Sequence, residues 1–214
     1  MVVEEQEGDF NSQRDNHIIQ IRRKNKLKSI IYLSDNTSFD VINEIIIKKH
    51  IYEGKEITPT EIEHIKNASI GLEAERYAYS ILSNGMESQY TLSLKLKKKK
   101  FNKEIIDKII TRLKEQKYLD DCEYARAWIS SRIQTHPEGK RAFLAGLLKK
   151  GIKYEVAKST IESMITDEIE IEMIRFLVDK LTDNAKSHDK IQKILISRGF
   201  RYNIIRNILK EINK

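Results

Sequence analysis

One spacing of apolar residues occurs three times in this chain, and it restricts the fold more than any other feature. Positions i, i+1, i+4, i+5 and i+8 are filled by Ile105, Ile106, Ile109, Ile110 and Leu113. They are filled again by Val156, Ala157, Thr160, Ile161 and Met164, with threonine as the weak position, and again by Ile204, Ile205, Ile208, Leu209 and Ile212. That spacing lays a continuous stripe along one face of a helix. The copies begin 51 and 48 residues apart, a period that accommodates three helices per unit. What precedes each stripe also recurs, as Lys100-Phe101, Gly151-Ile152 and Gly199-Phe200. A glycine suits the left-handed residue that closes a helix, and the next apolar residue can fold back onto it. Lys100 departs from this pattern, so the first unit is expected to close its helix less tightly.

The other helices of each unit follow from start signals and apolar faces. Asp120-Asp121-Cys122-Glu123 and Asp167-Glu168-Ile169-Glu170 both read as capping boxes with the first aspartate as cap. They open helices with buried faces at Tyr124, Ala125, Trp128 and Ile129, and at Ile174, Leu177, Val178 and Leu181. Tyr77, Ala78, Ile81 and Leu82 take that part in the first unit. Thr58-Pro59-Thr60-Glu61 is the strongest start signal, with a cap, a proline at the first helical position and a glutamate three residues after the cap. One unit has too little core to stand alone, so the units are expected to stack.

The beginning of the chain differs. Residues 1–16 are polar and aperiodic and read as a disordered tail. Ile18-Ile19-Gln20-Ile21, Ile30-Ile31-Tyr32-Leu33 and Thr37 to Val41 read as strands of a small antiparallel sheet, with a turn at Asp35-Asn36. A helix is expected from Ile42 to Lys49. With eight glycines and two prolines in 214 residues, breakers are scarce. The expected fold is therefore mainly α, with tandem three-helix repeats after a small β-containing N-terminal module. Its segments are the tail 1–16, the module 17–68, and repeats at 69–117, 118–165 and 166–214.

Several chemistries lack their residues. Gly54-Lys55 and Gly139-Lys140 have neither the earlier glycine nor the following hydroxyl of a phosphate-cradling loop. None of the five histidines pairs at i, i+4, and Cys122 alone supplies no zinc site of the usual kind. Acidic neighbours of Cys122 oppose thiolate formation. Asp120 and Asp121 are explained by capping, and Trp128 by the core face that it shares with Ile129. No cofactor or metal is expected, and the chain reads as a binding protein, not an enzyme. One cysteine and the lack of any run of about 18–20 apolar residues suit a reducing cytoplasm and no membrane span.

Charge points to a partner. The net charge is +7, but residues 1–68 carry −2 and residues 69–214 carry +9. Lys97, Lys98, Lys99 and Lys100 form a run at a helix end, and Lys149, Lys150 and Arg198 hold corresponding places in the other units. Cations there complement the helix dipole, which accounts for one or two lysines per helix, but four exceed that need. The excess suits a phosphate backbone or an acidic protein surface. Arg126, Arg132, Lys140, Arg141 and Arg201 complete the candidate partner-binding set.

The segment Lys117-Tyr118-Leu119-Asp120-Asp121-Cys122-Glu123-Tyr124-Ala125-Arg126-Ala127 resembles the Gly-Tyr-Leu-Asp-Asp…Phe-Ala-Arg-Ala segment of RecX proteins. Lys149-Lys150-Gly151-Ile152 and Ser197-Arg198-Gly199-Phe200 resemble the Arg/Lys-Gly-Ile/Phe signatures of that family's second and third repeats. The likeness is clear from about residue 70 to 212 and looser from about 18 to 69. Lys117, Lys100 and Gly146 depart from the family pattern, Gly146 standing where an acidic residue is usual. The resemblance implies an elongated, helical crescent lying in the groove of a RecA–DNA filament. It also implies a protein that limits RecA's ATP hydrolysis and strand exchange in recombination and DNA repair; a monomer is expected. Weak, non-specific contact with single- and double-stranded DNA belongs to the same expectation. A RecA-independent, basic DNA-binding protein is the alternative that the charge pattern leaves open.

Overall fold

The structure, a computed structural model, describes residues 16–182 and 187–212. The tail expected over 1–16 lies outside the described residues except for Asn16. The chain divides into two compact units, Met1–Arg76 and Tyr77–Lys214.

In the first unit, strands β1 (Asn16–Arg23), β2 (Lys28–Leu33), β3 (Ser38–Ile42) and β4 (Glu56–Ile57) form an antiparallel sheet in the order β3-β2-β1-β4. Alternation places Ile31 and Leu33 of β2 and Phe39 and Val41 of β3 on the buried side with Ile18. The turn is fixed at Asp35, whose carboxylate accepts from the Thr37 amide at 2.8 Å and hydroxyl at 2.6 Å. Those bonds hold the Asp35 pKa below its usual value. Helix α1 (Asn43–Lys48) follows. The sequence reading missed β4, a two-residue strand that pairs only Ile57 with Asn16 and Glu56 with His17.

Helix α2 (Pro59–Leu82) begins at the expected capping box. The Thr58 amide donates to Glu61 at 3.0 Å, and the Glu61 amide donates to the Thr58 hydroxyl at 3.2 Å. Ile62 and Ile65 join the buried face of the sheet. The boundary expected between residues 68 and 69 falls inside this helix, and the compact units divide between Arg76 and Tyr77.

The second unit continues through α3 (Gln89–Lys98), α4 (Lys103–Glu115), α5 (Asp121–Thr135), α6 (Lys140–Lys149), α7 (Tyr154–Met164), α8 (Asp167–Thr182), α9 (His188–Ser197) and α10 (Tyr202–Ile212). The repeated stripes fall on α4, α7 and α10. Only Ile212 of their fifteen positions is exposed. Helices α5 to α10 share one continuous core that includes Phe143, Ile129, Ile174 and Ile205. Trp128 packs against that core, edge-to-face on Phe143.

Three local expectations change. Asp120 caps α5, accepting from the Cys122 and Glu123 amides at 2.8 and 3.2 Å, but Asp167 does not cap α8. Asp167 is already helical, and the cap position falls to Thr166, whose carbonyl accepts from the Glu170 amide at 3.0 Å. Gly146, noted only as a departure from the family pattern, has a packing reason: a Cβ there would stand 2.4 Å from the Trp128 ring, so its absence makes room for the indole.

The third change concerns Lys100. It takes the same left-handed conformation (φ 66°) as Gly151 (74°) and Gly199 (84°). The closing bonds match as well. Phe101, Ile152 and Phe200 donate back to Leu96, Leu147 and Leu195 at 3.4, 3.1 and 3.3 Å. The first helix end therefore closes like the others, with a side chain in a conformation that costs L-residues about 1–2 kcal/mol. Lys100→Gly is expected to stabilise the chain by about 1 kcal/mol, read as a higher urea midpoint at unchanged slope.

Candidate functional site

Glycine is needed at Gly151 and Gly199 for a second reason, which is the key to the basic surface. The start of α3 sits on the end of α6: the Ser88 hydroxyl donates to the Lys150 carbonyl at 2.6 Å, and a Cβ on Gly151 would lie 2.2 Å from Tyr90 Cβ. The start of α6 sits on the end of α9 in the same way. There the Gly139 amide donates to the Arg198 carbonyl at 2.9 Å, and a Cβ on Gly139 would lie 2.1 Å from the Gly199 carbonyl oxygen. The middle helices thus meet head to tail, each start supplying a donor to the exposed carbonyls of the next helix end. A lysine at position 151 or 199 would block these joints.

The joint between α6 and α9 gathers five of the candidate cations from three distant segments. Arg132 on α5 donates to Glu138 at 2.6 and 3.2 Å and lies 5.0 Å from the centre of the Trp128 ring. Arg198 donates to the Pro137 carbonyl at 3.4 Å. Arg141 is exposed, and its Cβ would lie 3.4 Å from a Cβ on Gly199. Lys140 approaches Asp167 at 4.0 Å. Arg201 is held most firmly: its Nε donates to Glu170 at 2.9 Å, its Nη2 to Asp167 at 2.5 Å, and its amide to Glu170 at 3.1 Å.

Glu170 is completely buried, so this arginine fastens the start of α10 to the first turn of α8 before it offers anything to a partner. Hydrogen bonding from Arg201, and then its charge, holds the Asp167 carboxyl below the usual carboxylate range. The stabilisation from Asp167 is accordingly complete above the ordinary aspartate range and is lost as pH falls through the depressed value. The sequence reading assigned Glu170 only to a capping box and missed this role.

A cleft of about 640 Å³ opens beside the joint, lined by His136, Pro137, Phe176, Lys180 and Arg198 among others. Phe176 is 54% exposed, although it lies on a helix with a buried face. An exposed ring can stack a base while cations beside it hold the phosphate.

The remaining candidates lie elsewhere. Lys149 and Lys150 stand at the α3–α6 joint, and neither forms an ion pair among the described residues. Lys97, Lys98, Lys99 and Lys100 are all exposed at the end of α3, with Lys99 lying 5.2 Å from the centre of the Tyr77 ring. Arg126, exposed on α5, is paired with Glu123 at 2.5 Å. The structure therefore collects Arg132, Lys140, Arg141, Arg198 and Arg201 at one joint and leaves the other seven in separate places.

Known proteins give the fold and the family. No family model matches the chain. The protein called regulatory protein RecX from Caldanaerobacter subterraneus subsp. tengcongensis is 31% identical over 193 residues, which cover 90% of this chain and 96% of that one. Its counterpart from Finegoldia magna is 28% identical over 210 residues, covering 95% and 97%. A crystal structure of regulatory protein RecX superimposes with a TM-score of 0.69 at 24% identity, over 92% of this chain and 99% of that chain. A second, RecX from Lactobacillus salivarius, gives 0.62 at 25%, over 68% and 98%. The mostly helical body, the β-containing beginning and the extent of these matches agree: this chain belongs to the RecX family of regulatory proteins.

Proposed function

We propose that this protein regulates a RecA recombinase by binding the RecA–DNA filament, and that it acts by contact and not by catalysis. The observation that carries this reading is the convergence of Arg132, Lys140, Arg141, Arg198 and Arg201 at one helix joint beside the cleft at Phe176. The segments 69–117, 118–165 and 166–214 serve as the working units, presenting cations at successive helix ends to DNA phosphates or to acidic protein surface. The protein works as a monomer in the cytoplasm. Among the described residues no helix is long and apolar enough to cross a membrane. Added in stoichiometric amount to RecA on single-stranded DNA, it should slow ATP hydrolysis and strand exchange. Unchanged rates of both would refute the proposal.

DNA contact has its own test. None of Lys97, Lys98, Lys99 and Lys100 forms an ion pair among the described residues, which leaves their charge available to phosphates. Replacing the first three by alanine and Lys100 by glycine should reduce the salt dependence of DNA binding by about 0.9 in log–log slope for each phosphate that is no longer neutralised. An unchanged slope would remove these lysines from the interface. Equal binding to DNA with and without RecA would favour a plain DNA-binding protein.

A further inference from the structure

The first unit contains a cationic cavity that the filament reading does not use. The end of α1 and the start of α2 are brought together because the chain reverses between them. His50 adopts a left-handed conformation (φ 48°), Ile51 folds back into the core with its amide donating to Ile46 at 2.9 Å, and the Gly54 amide donates to the Ile18 carbonyl at 2.7 Å. Between the two elements lies a cavity of about 460 Å³, lined in part by Lys48, Lys49, Lys55, His50 and His64. Thr58 and Thr60 line the same cavity, as does one acidic residue, Glu61.

Charge is concentrated here: residues 16–68 hold nine lysines and arginines against seven acids, and three of those lysines line this cavity with a single acid. That acid is already engaged, since Glu61 accepts from the Thr58 amide and hydroxyl at 3.0 and 3.2 Å. Those bonds lower its pKa first, and the charges of Lys55 and Lys49 add to them. None of the three lysines forms an ion pair among the described residues. The helix end explains Lys48 and Lys49 in part, but not Lys55 or His64. His50 closes α1 in the left-handed conformation that Lys100 takes at the end of α3, and this places its side chain at the cavity.

We infer that this cavity is a binding site for a phosphate group, supplied either by a free phosphate compound or by a nucleic-acid backbone. Ammonium groups act on phosphate as point charges, and the imidazoles and the Thr60 hydroxyl add directional donors. The site lies in a different unit from the joint at Gly139 and Gly199 and does not depend on the filament reading.

Histidine side-chain NMR signals of the full chain, without RecA, test the inference. Inorganic pyrophosphate should shift His50 and His64 saturably. Lys49→Gln with Lys55→Gln should weaken that binding at least tenfold. His50→Gly should fold at least as well as the parent, because glycine suits φ 48°, and should also bind more weakly. A thymidine oligonucleotide that moves the same two signals and is displaced by pyrophosphate would identify the source as nucleic acid. An oligonucleotide that leaves them in place, while pyrophosphate moves them, would identify a free phosphate compound. No saturable shift with either probe, or equal shifts in the lysine variant, would overturn the site.

Discussion

Arg201→Ala is expected to destabilise the helical unit by about 3–5 kcal/mol, because it leaves the fully buried Glu170 carboxylate without its partner. The loss would appear in urea unfolding followed by the fluorescence of Trp128, the sole tryptophan, which packs on Phe143 in the shared core. Adding Glu170→Leu to Arg201→Ala should recover a large part of the loss, since replacing both members of a buried pair by apolar groups is often nearly neutral. Equal instability of the single and double variants would show that the pair itself does not carry the effect. The result also bears on function. Any loss of RecA regulation in Arg201→Ala has to be judged on protein that is still folded, whereas Arg141, exposed at the same joint, can be replaced with little structural cost.

The second large effect is expected from Gly139→Ala. Its φ of −80° suits any residue, so backbone strain plays no part. The added methyl would stand 2.1 Å from the Gly199 carbonyl oxygen and 2.3 Å from the Phe200 amide nitrogen, both rigid backbone atoms. The joint must open, breaking the Gly139 to Arg198 bond and the close packing around it. Overpacking of about 1–3 kcal/mol and a hydrogen bond of about 0.5–1.5 kcal/mol together give a cost of about 2–4 kcal/mol. Thermal unfolding followed by circular dichroism would measure it. Regulation of RecA should weaken as well, because the five converging cations would be separated. A variant as stable as the parent would mean that the joint is looser than its geometry requires.

The helices were legible in the sequence because their causes are local. The stripe on Ile204, Ile205, Ile208 and Leu209 and the caps at Thr58 and Asp120 act within one or two turns, and the structure has helices at each of them. β4 was not legible, since two residues carry no period and the pairing with Asn16 and His17 spans about forty residues. Asp167 misled because Asp-x-x-Glu fits a cap box whether or not the aspartate is the cap. Only the distant Arg201 shows that both acids face an arginine.

The glycines at 151 and 199 close helices, as their place in the sequence predicts, but Lys100 shows that closing a helix does not by itself demand glycine. Contact with the preceding helix start does, and such contact joins residues about sixty apart: Ser88 with Lys150, and Gly139 with Arg198. The candidate cations were legible as charge. Which of them meet in space, and which are already held by Glu138, Glu170 or Glu123, depends on packing that no local pattern encodes.

Co-sedimentation with RecA filaments assembled on single-stranded DNA tests the central claim most directly, with the same DNA free of RecA alongside at the same salt. The protein should pellet with the filament at much lower concentration than with the DNA, and replacing Arg132, Arg141 and Arg198 together should release it. Equal recovery from filament and bare DNA, or retention of the triple variant on the filament, would contradict it.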